Sequence, residues 1–274
     1  EEVSSMFDGV ARCYDLVNDL LSLGQTKRWR KKVQTIINPT KGMTILDIAA
    51  GPGSSSEPLH KAGADVTSLD FSEGMLAQGR KARPYLKFVK GDKIEASCDS
   101  VPVEDQSFDM VLSSELLEHL DAPTFEKTVN ELKRIAKKYI LIGVPNQESL
   151  NKGNIQCPKC YTIFHRCYHQ QNFSIQKFEK LFPDYIVLDS KTCGINVRIY
   201  KDSIANIKQK LTPAKAWIPY YWAKKGERNA HCPKCDTAFE YEFKFNPIAL
   251  VMDSINILLT KKIPFHMVVL MEKK

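Results

Sequence analysis

Two identical tetrapeptides, Cys157-Pro158-Lys159-Cys160 and Cys232-Pro233-Lys234-Cys235, hold half of the eight cysteines in this 274-residue chain. A Cys-x-x-Cys pair puts two thiolates on one tight turn, which is half of a tetrahedral zinc shell. Each pair is followed by an aromatic residue at the same offset, Phe164 and Phe239. Cys157, Cys160, Cys232 and Cys235 therefore read as one four-sulfur zinc site. Such a site has no open coordination position, so the metal is expected to be structural. A local alternative, Cys157, Cys160, His165 and His169, has finger-like spacing but leaves Cys232 and Cys235 without a partner set, and His231 is a further spare ligand.

The second chemical signature is Thr44-Ile45-Leu46-Asp47-Ile48-Ala49-Ala50-Gly51-Pro52-Gly53. An apolar run ends in small residues and two glycines, and a second run, Asp65 to Leu69, closes on Asp70. That is the pattern of a nucleotide-binding β-α-β unit. Gly51 and Gly53 let the backbone bend close to a ligand. The Asp70 carboxylate can take two hydrogen bonds from a ribose diol. Asp92, after the third strand, can accept from an exocyclic amine, and Ser114 follows the fourth strand. Taken singly, glycines make turns and acids cap helices. Fitting polar groups at four successive strand ends point to a nucleoside site.

These groups need a scaffold. Strands are predicted at 44–48, 65–69, 85–90, 108–113, 139–144, 185–188 and 264–271. Helices are predicted at 4–23, 29–37, 55–62, from Ser72, at 123–137 and at 174–181. Alternating strands and helices imply an α/β, doubly wound, mostly parallel Rossmann-like sheet. The segments 146–173 and 194–246 break the alternation, and each carries one Cys-Pro-Lys-Cys. The expected organisation is an N-terminal helical cap over 1–40 and a catalytic domain over 41–274. In that organisation the two segments leave the fifth and sixth strands and form a zinc-ribbon cap stapled over the face where the nucleoside site lies.

The formal net charge is +7, with clusters such as Lys27-Arg28-Trp29-Arg30-Lys31-Lys32, which reads as a solvated helix face or as a contact for acidic lipid or phosphate. No stretch is long and apolar enough to span a membrane; Pro247 to Leu259 is short and carries Asp253 and Asn256. Cysteines in metal-type pairs, with no recognisable signal peptide, point to a cytoplasmic protein, at most peripheral to the inner membrane surface.

Residues 2–92 resemble the demethylmenaquinone methyltransferases, class I enzymes that use S-adenosylmethionine. The resemblance rests on Ser5-Met6-Phe7-Asp8-Gly9-Val10-Ala11-Arg12, Tyr14-Asp15-Leu16 and Leu21-Ser22-Leu23-Gly24-Gln25, then on Leu46-Asp47-Ile48-Ala49-Ala50-Gly51 and Asp70-Phe71-Ser72-Glu73-Gly74-Met75-Leu76. It implies S-adenosylmethionine as cofactor, with contacts at Pro52, Asp70, Asp92, Lys93 and Ser114, beside the loop residues Asp47, Gly51 and Gly53. It also implies a prenylated quinol as acceptor and a place in menaquinone biosynthesis. Pro52 stands where the family usually has threonine, Lys93 where a small residue is usual, and Asp99 is a rival for the adenine contact. The family's Arg-Asn pair after the fourth strand is replaced by Glu115-Leu116-Leu117-Glu118-His119-Leu120. That run, with Gly143-Val144-Pro145-Asn146, looks more like methyltransferases acting on quinone-ring hydroxyls, sugars or lipids. The region 138–240 is similar to zinc-ribbon-bearing class I methyltransferases.

Methyl transfer from a sulfonium needs alignment, dryness and, for some acceptors, a base. His119 is the predicted base, with a local helix-start histidine as the alternative. Glu115 and Glu118 position substrate or a cation, or serve as first-turn acids. Tyr14 and Asn18 lie on the N-terminal helix, Tyr14 reading as a packing residue. The run Ala216-Trp217-Ile218-Pro219-Tyr220-Tyr221-Trp222-Ala223-Lys224-Lys225 suits a membrane interface, an isoprenoid groove or internal packing. The expected partner is a small-molecule or lipid-quinol acceptor, with peripheral membrane contact and without nucleic acid. Two other readings stay open: O- or N-methylation of another small molecule, lipid or sugar, and a zinc-ribbon module that binds protein or nucleic acid on a vestigial scaffold.

Overall fold

The computed structural model describes residues 33–91, 101, 103–212, 217, 228–241 and 245–274. The predicted N-terminal helix with Tyr14 and Asn18, the Lys27–Lys32 cluster, Asp92, Lys93, Asp99 and most of the aromatic run lie outside the described residues.

Residues divide into two compact units, 1–146 with 173–195 and 264–274, and 147–172 with 196–263. The first unit is built on a seven-stranded sheet. Its strands are β1 (Thr44–Ile48), β2 (Asp65–Asp70), β3 (Lys87–Lys90), β4 (Phe108–Ser114), β5 (Ala136–Pro145), β8 (Tyr185–Arg198) and β11 (Lys262–Lys273). Their order is β3-β2-β1-β4-β5-β11-β8. β1 pairs in parallel with both β2 and β4, and β4 with β5, while β11 runs antiparallel to β5. The helices are α1 (Ser56–Lys61), α2 (Glu73–Ala82), α3 (Ala122–Ile135) and α4 (Ile175–Leu181); residues 33–37 are also helical.

The central strands are apolar on both faces because helices cover both, as parallel sheets require. Successive residues alternate between two cores. Leu46, Val111, Ile140, Ile142 and Val269 join Phe125, Val129 and Leu132 of α3. Ile45, Met110, Leu112, Leu141 and Val268 join Val33, Ile36 and Leu59 on the other side. Helix ends follow their caps. Ser72 Oγ accepts from Met75 N at 3.2 Å, and Asp121 Oδ1 from Thr124 N at 2.9 Å.

Several boundaries differ from expectation: β5 begins at Ala136, inside the helix predicted over 123–137, and both edge strands differ as well. β8 continues to Arg198 instead of stopping at Leu188. The polar residues Asp189 to Lys191 read as a strand end, but β8 lies at the edge of the sheet, where one face need not be apolar. β3 begins at Lys87, two residues later than expected.

The second unit contains two short antiparallel hairpins, β6 (Asn154–Gln156) with β7 (Ile163–His165) and β9 (Asn229–His231) with β10 (Ala238–Glu240). It also holds α5 (Asp202–Leu211), which was not expected from the sequence, and α6 (Pro247–Leu259). α5 escaped notice because its buried side carries Lys208 beside Ala205, not an apolar stripe. The Lys208 ammonium donates to both Asp253 carboxylate oxygens at 2.8 Å. Burial pushes the lysine down and the aspartic acid up. Lys208 Nζ also donates to the carbonyl of Trp217, whose side chain is buried, so at this residue of the aromatic run packing is the observed role.

Candidate functional site

The sheet reverses direction of growth between β1 and β4, the switch point where open α/β sheets bind ligands at their carboxyl ends. β1 leaves this point through Ala49 (φ 57°), Gly51 (φ 56°) and Gly53 (φ 82°), all left-handed. β4 leaves it through Glu115 (φ 53°). For Ala49 and Glu115 that backbone is unfavourable by about 1 kcal/mol or more, the kind of strain that clusters at functional sites.

Asp70 lies at the carboxyl end of β2 and is buried. Its Oδ2 accepts from Gly51 N at 2.7 Å and its Oδ1 from Ser72 N at 2.9 Å. One carboxylate thus fastens the loop after β1 to the start of α2. Each oxygen has lone-pair capacity beyond these bonds, as a ribose diol requires. The predicted pair, the bend and the acid, are therefore together in space.

Asp47 is fully buried beneath the same loop. Its Oδ2 accepts from Ser56 Oγ at 2.6 Å, and Ser68 Oγ donates to Ser56 Oγ at 2.8 Å. Burial, reinforced by the nearby Asp70 charge and opposed by the Ser56 bond, pushes the Asp47 carboxyl up to about 7. Asp47 thus anchors the loop as an acid that keeps its proton well above the usual carboxylate range. Because its folded value is raised, the native state holds a proton that the unfolded chain releases. Stability from this group is highest at low pH and falls as pH rises from about 4 to about 7, by roughly 4 kcal/mol in total. Asp47→Asn should flatten that slope; urea midpoints measured between pH 4 and pH 7.5 for both proteins test it.

Gly53 also answers to a packing constraint, beside the left-handed bend it makes. A Cβ there would meet the Phe88 ring at 2.9 Å, and one at Gly79 would meet it at 2.5 Å. Gly53 is small so that α2 and β3 can pack against the loop. Pro52 is buried, and its carbonyl accepts from Arg83 Nη1 at 3.0 Å.

At the end of β4, Ser114 is half-buried and His119 is exposed. The sequence missed a partner here. Glu115 Oε1 lies 3.2 Å from Nδ1 of His266, a residue 151 positions away. His266 arrives because β11 runs antiparallel to β5 and sets it opposite Pro145, the last residue of β5. Gly194 has no Cβ, which would otherwise meet His266 Cδ2 at 2.9 Å. Only the register of the closing strand carries this information.

In the second unit the four cysteine sulfurs converge. Cys157 and Cys235 are 3.6 Å apart, Cys160 and Cys232 3.5 Å, and all four sulfurs lie within 4.8 Å of one another. A zinc ion with sulfurs at ~2.3 Å has tetrahedral edges of about 3.8 Å, so the donor set fits zinc. The two knuckles share their geometry. Cys157 N donates to Thr162 O and Tyr161 N to Cys157 O; Cys232 N donates to Thr237 O and Asp236 N to Cys232 O. Tyr161 and Asp236 are both left-handed, and Phe164 meets Phe239 edge to face at 6.3 Å. The Thr162 hydroxyl and backbone beside Cys160 bring its thiol down to about 6.

The rival finger-like set is divided by the fold. His169 Nδ1 is 2.5 Å from Glu148 Oε2, and His165 Nε2 is 3.7 Å from Glu148 Oε1. His165 Nδ1 accepts from the backbone N–H of Cys167 and of His169, which assigns the ring proton to Nε2. Both histidines thus turn to Glu148, and the sulfurs turn to one another.

The sequence model of the ubiE/COQ5 methyltransferase family matches residues 1–142. Demethylmenaquinone methyltransferases from Renibacterium salmoninarum and Paenarthrobacter aurescens are each 44% identical over 137 residues, half of this chain and 55% and 51% of theirs. The chain spans about half the length of the curated relatives it matches. A chain from the complex between the Haloferax volcanii Trm112 methyltransferase activator and a methyltransferase shares the fold with a TM-score of 0.55, at 15% identity over 97% of both chains. A SAM dependent methyltransferase from Archaeoglobus fulgidus does so at 0.53, with 18% identity over 95% of this chain and 99% of that one. With the loop after β1, the acid closing β2 and a matching sequence over residues 1–142, the chain belongs to the ubiE/COQ5 methyltransferase family.

Proposed function

We propose that the protein transfers a methyl group from S-adenosylmethionine to a small-molecule acceptor, with a prenylated quinol ring as the leading acceptor. The observation that carries the reading is the Asp70 carboxylate held at the switch point by Gly51 N and Ser72 N. The relatives' names supply the quinol, because the matched half contains this site.

When bound, S-adenosylmethionine supplies an electrophilic methyl group on a sulfonium. The Asp70 carboxylate accepts from the ribose hydroxyls, and the bend of Gly51 to Gly53 with the rigid Pro52 shapes the floor. Asp92, Lys93 and Ser114 complete the proposed contact set by resemblance. Glu115 orients the His266 imidazole through Nδ1. His266 joins His119 as a candidate to take the proton that the acceptor gives up. Cys157, Cys160, Cys232 and Cys235 hold a structural zinc ion.

The run Glu115 to Leu120, standing where the family has its Arg-Asn pair, favours a second reading with Gly143-Val144-Pro145-Asn146: O- or N-methylation of another small molecule, lipid or sugar. Incubation with labelled S-adenosylmethionine and separate pools of quinols, lipids and sugars distinguishes the two. Label in the quinol pool is expected, and His266→Ala should lower kcat while cofactor Kd is unchanged. Label in another pool alone moves the assignment to that acceptor. No label in any pool, with salt-dependent nucleic-acid binding instead, favours the binding-module reading.

A further inference from the structure

α6 is built inside out. Its buried residues are Asp253 and Asn256, while Ile248, Val251, Ile255, Leu258 and Leu259 are exposed, Leu258 at 83%. The apolar positions recur every three or four residues, so they form one stripe, and that stripe faces solvent. The inward orientation of the polar side is fixed by specific bonds. Asp253 receives Lys208 on both oxygens, and Asn256 Oδ1 accepts from Lys201 N at 2.8 Å. Turning the helix to hide the stripe would strand a buried ammonium, which is destabilising. Ile207 and Leu211 of α5, which packs against α6, are exposed as well.

Among the described residues of α5, α6 and their ends, exposed cations outnumber exposed acids. Lys201, Lys210, Lys261 and Lys262 are exposed, and the only exposed acid on α5 or α6 is Asp202. We propose that the α5–α6 face seats on an anionic lipid surface. α6 has 13 residues and is about 20 Å long, too short for a hydrocarbon core of ~30 Å but suited to lying in the interface. Lysines flanking an apolar stripe are the composition of an interfacial helix. A second copy of the chain is a poorer occupant, because two-fold pairing of the same face sets these lysines against their own copies. The inference goes beyond methyl transfer, and its test needs neither cofactor nor acceptor.

The test is flotation of the full chain with phosphatidylcholine vesicles, with and without phosphatidylglycerol. Wild-type protein should float with the anionic vesicles. The triple variant Val251→Ser, Ile255→Ser, Leu258→Ser should partition at least about tenfold less. Lys261→Gln with Lys262→Gln should weaken partition by roughly fivefold per lysine on anionic vesicles. Circular dichroism checks that each variant keeps its helices. Equal partition of the serine variant and wild type overturns the proposal. So does a wild-type dimer in sedimentation that the serine variant breaks, with no vesicle binding by either protein; the face then belongs to a second copy.

Discussion

Cys232→Ser should purify with less than a tenth of the zinc bound by the wild-type chain, by elemental analysis. Among the described residues, little else joins the two knuckles. The hydrophobic cluster around them has two buried members, Ile155 and Tyr241, with Phe164, Ala230 and Phe239 partly buried. A lone two-stranded hairpin is marginal in water, and this unit has two of them with three-residue strands. Structural zinc contributes of order 10 kcal/mol to folding in small domains, more than such a cluster can replace. Loss of one thiolate should therefore also expose residues 147–172 and 228–241 to protease. His165→Ala gives the contrast. His165 is engaged with Glu148 and backbone N–H groups, so that variant should keep stoichiometric zinc. Full zinc in Cys232→Ser would sink the shared site.

Asp70→Ala should weaken S-adenosylmethionine binding at least a hundredfold by calorimetry. Two hydrogen bonds from ribose hydroxyls to a carboxylate are each worth roughly 1.5–3 kcal/mol, and together they exceed the ~3 kcal/mol that a hundredfold requires. The substitution also removes the acceptors of Gly51 N and Ser72 N, so the loop after β1 loses its fastening. Asp70→Asn separates the effects. Its carbonyl oxygen can keep one loop bond while the charge is lost, so it should fold like wild type and bind with intermediate affinity. An unchanged Kd in Asp70→Ala would remove the nucleoside reading of the switch point.

The parts of this architecture that were legible in the sequence are those with short-range grammar. β1 and β4 announce themselves as apolar runs, β2 by the acid that closes it about twenty residues after the glycine bend, and the cysteine knuckles because their spacing is set by one turn. The sulfur tetrahedron was inferred from duplication, and the fold brings those four sulfurs together. Residues that act across the chain were not legible. The approach of His266 to Glu115 depends on the register of β11 against β5, which no local pattern encodes. α5 was hidden because a buried lysine looks like a surface residue until its aspartate is known. The contact of Gly53 with the Phe88 ring was not legible either, because it depends on how β3 packs against the loop after β1.

The second unit is written in two instalments, 147–172 and 196–263, with a stretch of the first unit between them. During synthesis, Cys157 and Cys160 emerge with only half a set of ligands, and 71 residues, 161 to 231, must be added before Cys232 appears. At ribosomal speeds of about 5–20 residues per second, that interval lasts roughly 4–14 s. For its duration the nascent chain presents an unsatisfied dithiol. Newborn chains are therefore the population most exposed to oxidants and to the wrong metal, and oxidative stress should lower the yield of this protein more than it harms molecules already complete.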